Sequence, residues 1–225
     1  MGSEPFSTKK HTPVASLAFM LALLAGCAST YYQAMEGMGF EKRDILVDRV
    51  EEARDAQDAA SEQFASALEQ FRSTVNFDGG DLEKTYDRLN AAYEKSVADA
   101  DEVTIRINSV QKVAEDLFDE WEDELDKYSR ADLRKDSAAL LSDTRARYKQ
   151  LMTAMRRAES SMKPVLTAFQ DQVLVLKHNL NARAIGGLRN ELAGIERDTA
   201  TLIAQMQKSI AEANAFIESM EPPSR

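Results

Sequence analysis

The chain has 225 residues, 28 basic and 38 acidic, a formal net charge of −10, and only one Cys and two His. A single Cys excludes an internal disulfide framework and Cys-based zinc or iron–sulfur sites, and two His cannot build a multi-His metal centre. The acidic excess argues against binding nucleic acid through phosphate neutralisation, while an apolar content of 44% is that of a folded protein.

The first segment reads as an address. Lys9 and Lys10 precede an apolar run from Val14 to Leu24, the order of a secretory signal peptide, and the run is too short for a comfortable membrane span. It ends Leu24-Ala25-Gly26-Cys27, which resembles the lipobox of bacterial lipoproteins. In those proteins small residues fit the signal peptidase and the Cys receives a diacylglyceryl group. The resemblance implies that residues 1–26 are removed, with Leu24, Ala25 and Gly26 as peptidase recognition, and that Cys27 carries a covalent lipid. Stable anchoring takes two or more acyl chains. Ala28, rather than Asp, after the Cys resembles the outer-membrane sorting pattern of Gram-negative lipoproteins. Without residues 1–26 the chain loses two Lys and one Glu, leaving 26 basic and 37 acidic residues and a net charge of −11.

Residues 27–39 show no strong period and read as a lipidated tether. From residue 28 on, its twelve residues span about 40 Å when extended. A helical domain is expected over 40–221. Leu46, Val50, Ala53, Gln57, Ala60, Phe64, Ala67 and Phe71 alternate by four and three, a heptad seam that is apolar except at Gln57. Asn76-Phe77-Asp78-Gly79-Gly80 is turn chemistry, and Asp81 stands where an N-cap belongs. A second seam runs from Leu82 through Leu89, Val103, Ile107, Val110, Ala114 and Trp121 to Tyr128. Ser129 and Asp132 resemble a capping box. A third seam passes Leu133, Leu140, Leu151, Met155, Val165 and Phe169 to Leu180, with Pro164 expected to bend it. Gly186-Gly187 is expected to break the chain before a last seam from Leu188 to Met220.

From Asp81 to Ile185 there is no Gly and one Pro, and no stretch alternates with period two. The expected fold is all-α: an elongated antiparallel bundle or coiled coil of four helices, about 40–75, 82–128, 131–181 and 187–220, with two long central ones. At 1.5 Å per residue the second helix spans about 70 Å and the outer two about 50 Å each. The outer helices therefore cannot cover the turn near Ser129, which should project as a bare two-helix tip on the side from which the chain enters. The apolar Val173-Leu174-Val175-Leu176 should lie fully surrounded at the opposite end.

The tip carries the densest charge: Asp116, Asp119, Glu120, Glu122, Asp123, Glu124 and Asp126 around Trp121. Several are four apart with like charge, which destabilises an isolated helix. If position 130−x faces 130+x, Arg134 and Lys135 approach Asp126, and Arg145, Arg147 and Lys149 approach the residues around Asp116. One reading is a charge-zipped hairpin with a solvated acidic face and a packed Trp121. The other is a docking tip with a half-exposed Trp121 as anchor. A straight helix does not converge oxygens on a metal, so a protein partner ranks above a cation. His178 reads as a surface or capping residue. No G-x-x-x-x-G-K-[ST] or G-x-G-x-x-G occurs, so nucleotide binding has no support.

Three stretches carry a family resemblance: 76–84 (NFDGGDLEK), 117–125 (LFDEWEDEL) and 176–182 (LKHNLNA). With the lipobox they are similar to the uncharacterised proteobacterial family called domain of unknown function 2959. The resemblance implies a periplasm-facing lipoprotein and supplies no activity. The expected role is structural or adaptor-like: no enzyme, no cofactor beyond the lipid, a membrane contact through Cys27 and an envelope protein partner. The alternatives are a self-assembling, homo-oligomeric coiled coil acting on the membrane, and a solute-binding protein or enzyme without a recognisable site.

Overall fold

A computed structural model describes residues 42–77, 79, 81–179 and 182–220. Contacts divide the chain into Met1–Lys42 and a compact unit, Arg43–Arg225. Among the described residues four helices follow one another: α1 (Lys42–Val75), α2 (Leu82–Leu125), α3 (Ala131–His178) and α4 (Ala182–Met220). The architecture is the all-α bundle expected, with no strand among the described residues.

Cross-helix contacts give the order. Gln63 donates to the Ala92 carbonyl at 3.0 Å, and Arg106 pairs with Glu52 at 2.7 Å, so α1 and α2 run antiparallel. Arg72 pairs with Glu196 at 2.7 Å, and Arg54 donates to Asn214 at 3.3 Å, so α1 and α4 are antiparallel as well. Arg156 reaches Gln111 from α3 to α2 at 2.7 Å. Across the centre the rings of Phe71 and Phe169 meet edge to face at 6.2 Å.

The α1 seam is buried along its whole length: all eight residues from Leu46 to Phe71 are 1 % exposed or less. Ile45, Leu68 and Val75 are buried beside it, widening the stripe as a helix with several neighbours requires. Asp81 caps α2, accepting from the Lys84 amide at 3.2 Å. Gly79, with φ +144°, takes the backbone region that favours glycine.

Four local expectations are corrected. Gly186 and Gly187 do not break the chain; both lie within α4. Each costs about 1 kcal/mol in a helix interior, and the buried Ile185 and Leu188 on either side hold the turn in place. Ser129 is not the N-cap of α3. Arg130 takes that position without a side-chain cap, and its guanidinium pairs with Asp132. Leu141 is buried at 4 %, while Leu140 is 58 % exposed, so the α3 seam enters the core one residue later than its spacing suggests. At the opposite end Val173 and Leu176 are buried but Leu174 and Val175 are exposed; the helix there is covered on one side only. Pro164 leaves α3 continuous and lies on its exposed side, where water can satisfy the carbonyl it leaves unpaired.

Candidate functional site

Helix lengths create the tip. Glu52 is level with Arg106, so α1, starting about ten residues earlier, begins near residue 116 of α2. Asn214 is level with Arg54, so α4 ends close to the same plane. Of the described helices, α2 and α3 alone continue beyond it. From Asp119 through Leu140 no side chain is buried.

The end of the four-helix body is closed by a small cluster. Phe118 packs edge to face on Tyr148 at 5.3 Å, and the Arg145 guanidinium lies over the same Phe118 ring at 5.3 Å. Burial, reinforced by the nearby Glu115 carboxylate, pushes the Tyr148 hydroxyl up to about 12, against the opposing pull of Arg156. Asp116 belongs to this plug rather than to the tip. It is half-buried, and one carboxylate oxygen is buried without a hydrogen-bond partner.

Within the tip, Trp121 is half-buried and its Nε1 donates to Ser137 Oγ at 2.9 Å. The indole is tied to α3 by that bond and is partly exposed. Arg145 pairs with Glu122 and holds its carboxyl below the usual carboxylate range, with desolvation opposing. The same pair raises Arg145, to which the Asp119 charge adds. Arg134 pairs with Asp126 at 2.6 Å, the partner expected. Glu120 also has an interaction within the chain. Arg147 and Lys149 make no ion pair with the acidic stretch, and Lys149 instead faces α4. Arg145 lies over the Phe118 ring, two residues from Asp116 as the mirror rule about residue 130 expects, and it reaches on to Glu122.

What remains uncompensated is specific. Asp123 and Glu124 are exposed and their carboxylates make no hydrogen bond or ion pair. Glu124, Lys127 and Tyr128 line a hollow of about 250 Å³ at the turn. Tyr128 and Leu133 are 42 % and 43 % exposed, so the face beside the acids is partly apolar. Ser137 was the residue that sequence reasoning missed; only the facing of α2 on α3 identifies it. No group of three or more His, Cys, Asp or Glu among the described residues is arranged to hold a metal ion. Exposed His178 ends α3. Leu24, Ala25, Gly26, Cys27 and the tether lie outside the described residues.

A family model described as a protein of unknown function, DUF2959, matches residues 31–220, the span that holds all four helices. The chain belongs to the DUF2959 family. The stretches that resembled the family fall at the α1–α2 turn, at the tip around Trp121 and at the end of α3. No curated protein matches this DUF2959 chain.

Proposed function

We propose that this DUF2959 chain is an envelope lipoprotein, anchored through Cys27 and facing the periplasm, whose helical body carries a hairpin tip that docks a protein partner. The observation that carries the docking role is the tip itself: two helices that project past their neighbours, two uncompensated carboxylates, and a half-exposed Trp121 fixed by Ser137. Half-exposed Trp held rigid is the side chain most enriched at binding hot spots. The charge identifies the complementary surface as basic.

Anchoring is supported by Leu24-Ala25-Gly26-Cys27. Ala28 after the Cys supports the outer membrane. The first residues of α1 and the tip lie at the same end of the bundle. Anionic lipid itself would repel the tip.

A second reading, pairing of two tips into one bundle, is favoured by Tyr128 and Leu133, seam residues left 42 % and 43 % exposed. Like charge on both tips opposes it.

Two experiments test the proposal. Metabolic labelling with palmitate should mark the wild-type chain and not Cys27→Ala; an unlabelled wild type contradicts the anchor. Affinity recovery from cross-linked cells should yield an envelope protein that is lost in Asp123→Lys with Glu124→Lys. Equal recovery with the double variant contradicts the docking tip, and recovery of self-adducts alone favours paired tips.

A further inference from the structure

A groove of about 550 Å³ runs between α3 and α4 on the four-helix body. Three cations line it: Lys149 and Arg157 from α3 and Lys208 from α4. All three are exposed, and none makes an ion pair or a side-chain hydrogen bond. Elsewhere on α3, Arg145 and Arg156 are paired to carboxylates; what sets Lys149, Arg157 and Lys208 apart is that all three line one groove. A chain of net charge −10 has acids to spare, yet these three cations from two helices line one concavity unpaired. Like charges so placed repel unless an anion joins them.

The remaining lining limits what that anion is. Gln150 and Gln205 bring amide donors between the cations. Ala146 and Ala154 keep the floor shallow and supply no large apolar anchor, so a peptide would find no pocket for a hot-spot side chain. Eight residues separate Lys149 from Arg157 on one helix, about 12 Å along its axis, a gap that two long side chains narrow. Glu212 closes one end of the groove with a negative charge, which stops an anion from running past Lys149 and Lys208. Ammonium groups bind phosphate as point charges, and a guanidinium grips it with two donors.

We propose that the α3–α4 groove binds an elongated oligoanion carrying at least two phosphate groups, one held by Lys149 and Lys208 and the next by Arg157. Such groups come either from a soluble oligophosphate or from phospholipid headgroups. The site is separate from the tip and does not depend on the docking role.

The test is calorimetric titration of the purified full chain in mild detergent with tripolyphosphate. A parallel arm measures sedimentation of the same protein with phosphatidylglycerol vesicles against phosphatidylcholine vesicles. Tripolyphosphate should bind at one site, more tightly than inorganic phosphate. Arg157→Gln, and separately Lys149→Gln with Lys208→Gln, should each weaken it about tenfold, the size of one charge-assisted contact. Glu212→Gln should tighten it, and Lys163→Gln, an exposed lysine on the α2–α3 side, should leave it unchanged. Vesicle binding with the same variant pattern but no tripolyphosphate binding supports the site and assigns the headgroup source. No binding in either arm overturns the proposal. So does equal weakening by Lys163→Gln, which would mean charge without a site, or tighter binding of an acidic peptide. All substituted side chains are on the surface, and unchanged circular dichroism verifies the fold.

Discussion

The four-helix body and the two-helix tip are made from the same seams, yet they hold themselves together differently. In the body, Phe64 on α1 is fully buried and every turn of the seam has partners on other helices. In the tip, seam residues such as Tyr128 and Leu133 remain 42 % and 43 % exposed, and order comes from ion pairs and one Trp–Ser hydrogen bond. Apolar patterning thus sets where a core can form, and the lengths of neighbouring helices decide where it does. A surface left behind in this way is stable enough to persist and open enough to bind.

Substitutions can break that contrast, beginning with the largest effect. Phe64→Ala should cost about 3–5 kcal/mol, whereas Leu140→Ala should stay within about 0.5 kcal/mol; midpoints of urea unfolding compare them directly. Similar losses at both positions would mean the tip is packed after all.

Gln57 tests the body from the other side. It occupies a seam position at 0 % exposure, and both its amide atoms lack a hydrogen-bond partner. Gln57→Met keeps the volume and removes the desolvation cost, so stability should rise by about 1–3 kcal/mol. A lone polar seam residue also helps to fix register. The stabilised variant should therefore show broader line widths or more than one species by native mass spectrometry.

At the tip, Ser137→Ala removes the acceptor of Trp121 Nε1 and should cost about 0.5–1.5 kcal/mol. The chain has one Trp, so the change should appear cleanly as a shift in its fluorescence maximum.

The smallest effects are electrostatic. The Tyr148 hydroxyl is raised from 10.0 to about 12 by burial. A raised value means that its contribution is present below pH 10 and is lost as pH climbs towards 12; Tyr148→Phe should flatten stability across that window and remove the late phenolate absorbance. For Glu122 the sign is opposite. Its value is lowered by Arg145, so the contribution is present at neutral pH and disappears as pH falls through the lowered value. Glu122→Gln should differ slightly from wild type at neutrality and match it in acid, as thermal melts at both conditions would show.

Much of this architecture is legible in the residues. The α1 seam could be read position by position because its spacing never slips. The overhang followed from comparing helix lengths, with no knowledge of contacts. Gly186-Gly187 was misleading because a local glycine cost was outweighed by the anchors Ile185 and Leu188. Leu174 and Val175 read as surrounded, although whether a neighbour reaches them depends on how the bundle ends, which no local pattern encodes. The same limit applies to the tip. Its acidity and Trp121 are visible in one dimension, but Ser137 as the partner of Trp121, and the sorting of paired Glu122 and Asp126 from unpaired Asp123 and Glu124, arise only when α2 faces α3. The α3–α4 groove was invisible for the same reason, since Lys208 lies far along the chain from Lys149.

The most direct test of the docking tip is site-specific photo-crosslinking in living cells, with the probe at Glu124 on the tip and, in parallel, at exposed Asp58 on the α1 face of the body. A discrete adduct with an envelope protein from position 124, absent from position 58, is the result expected. The same adducts from both positions, or none from position 124, would contradict it.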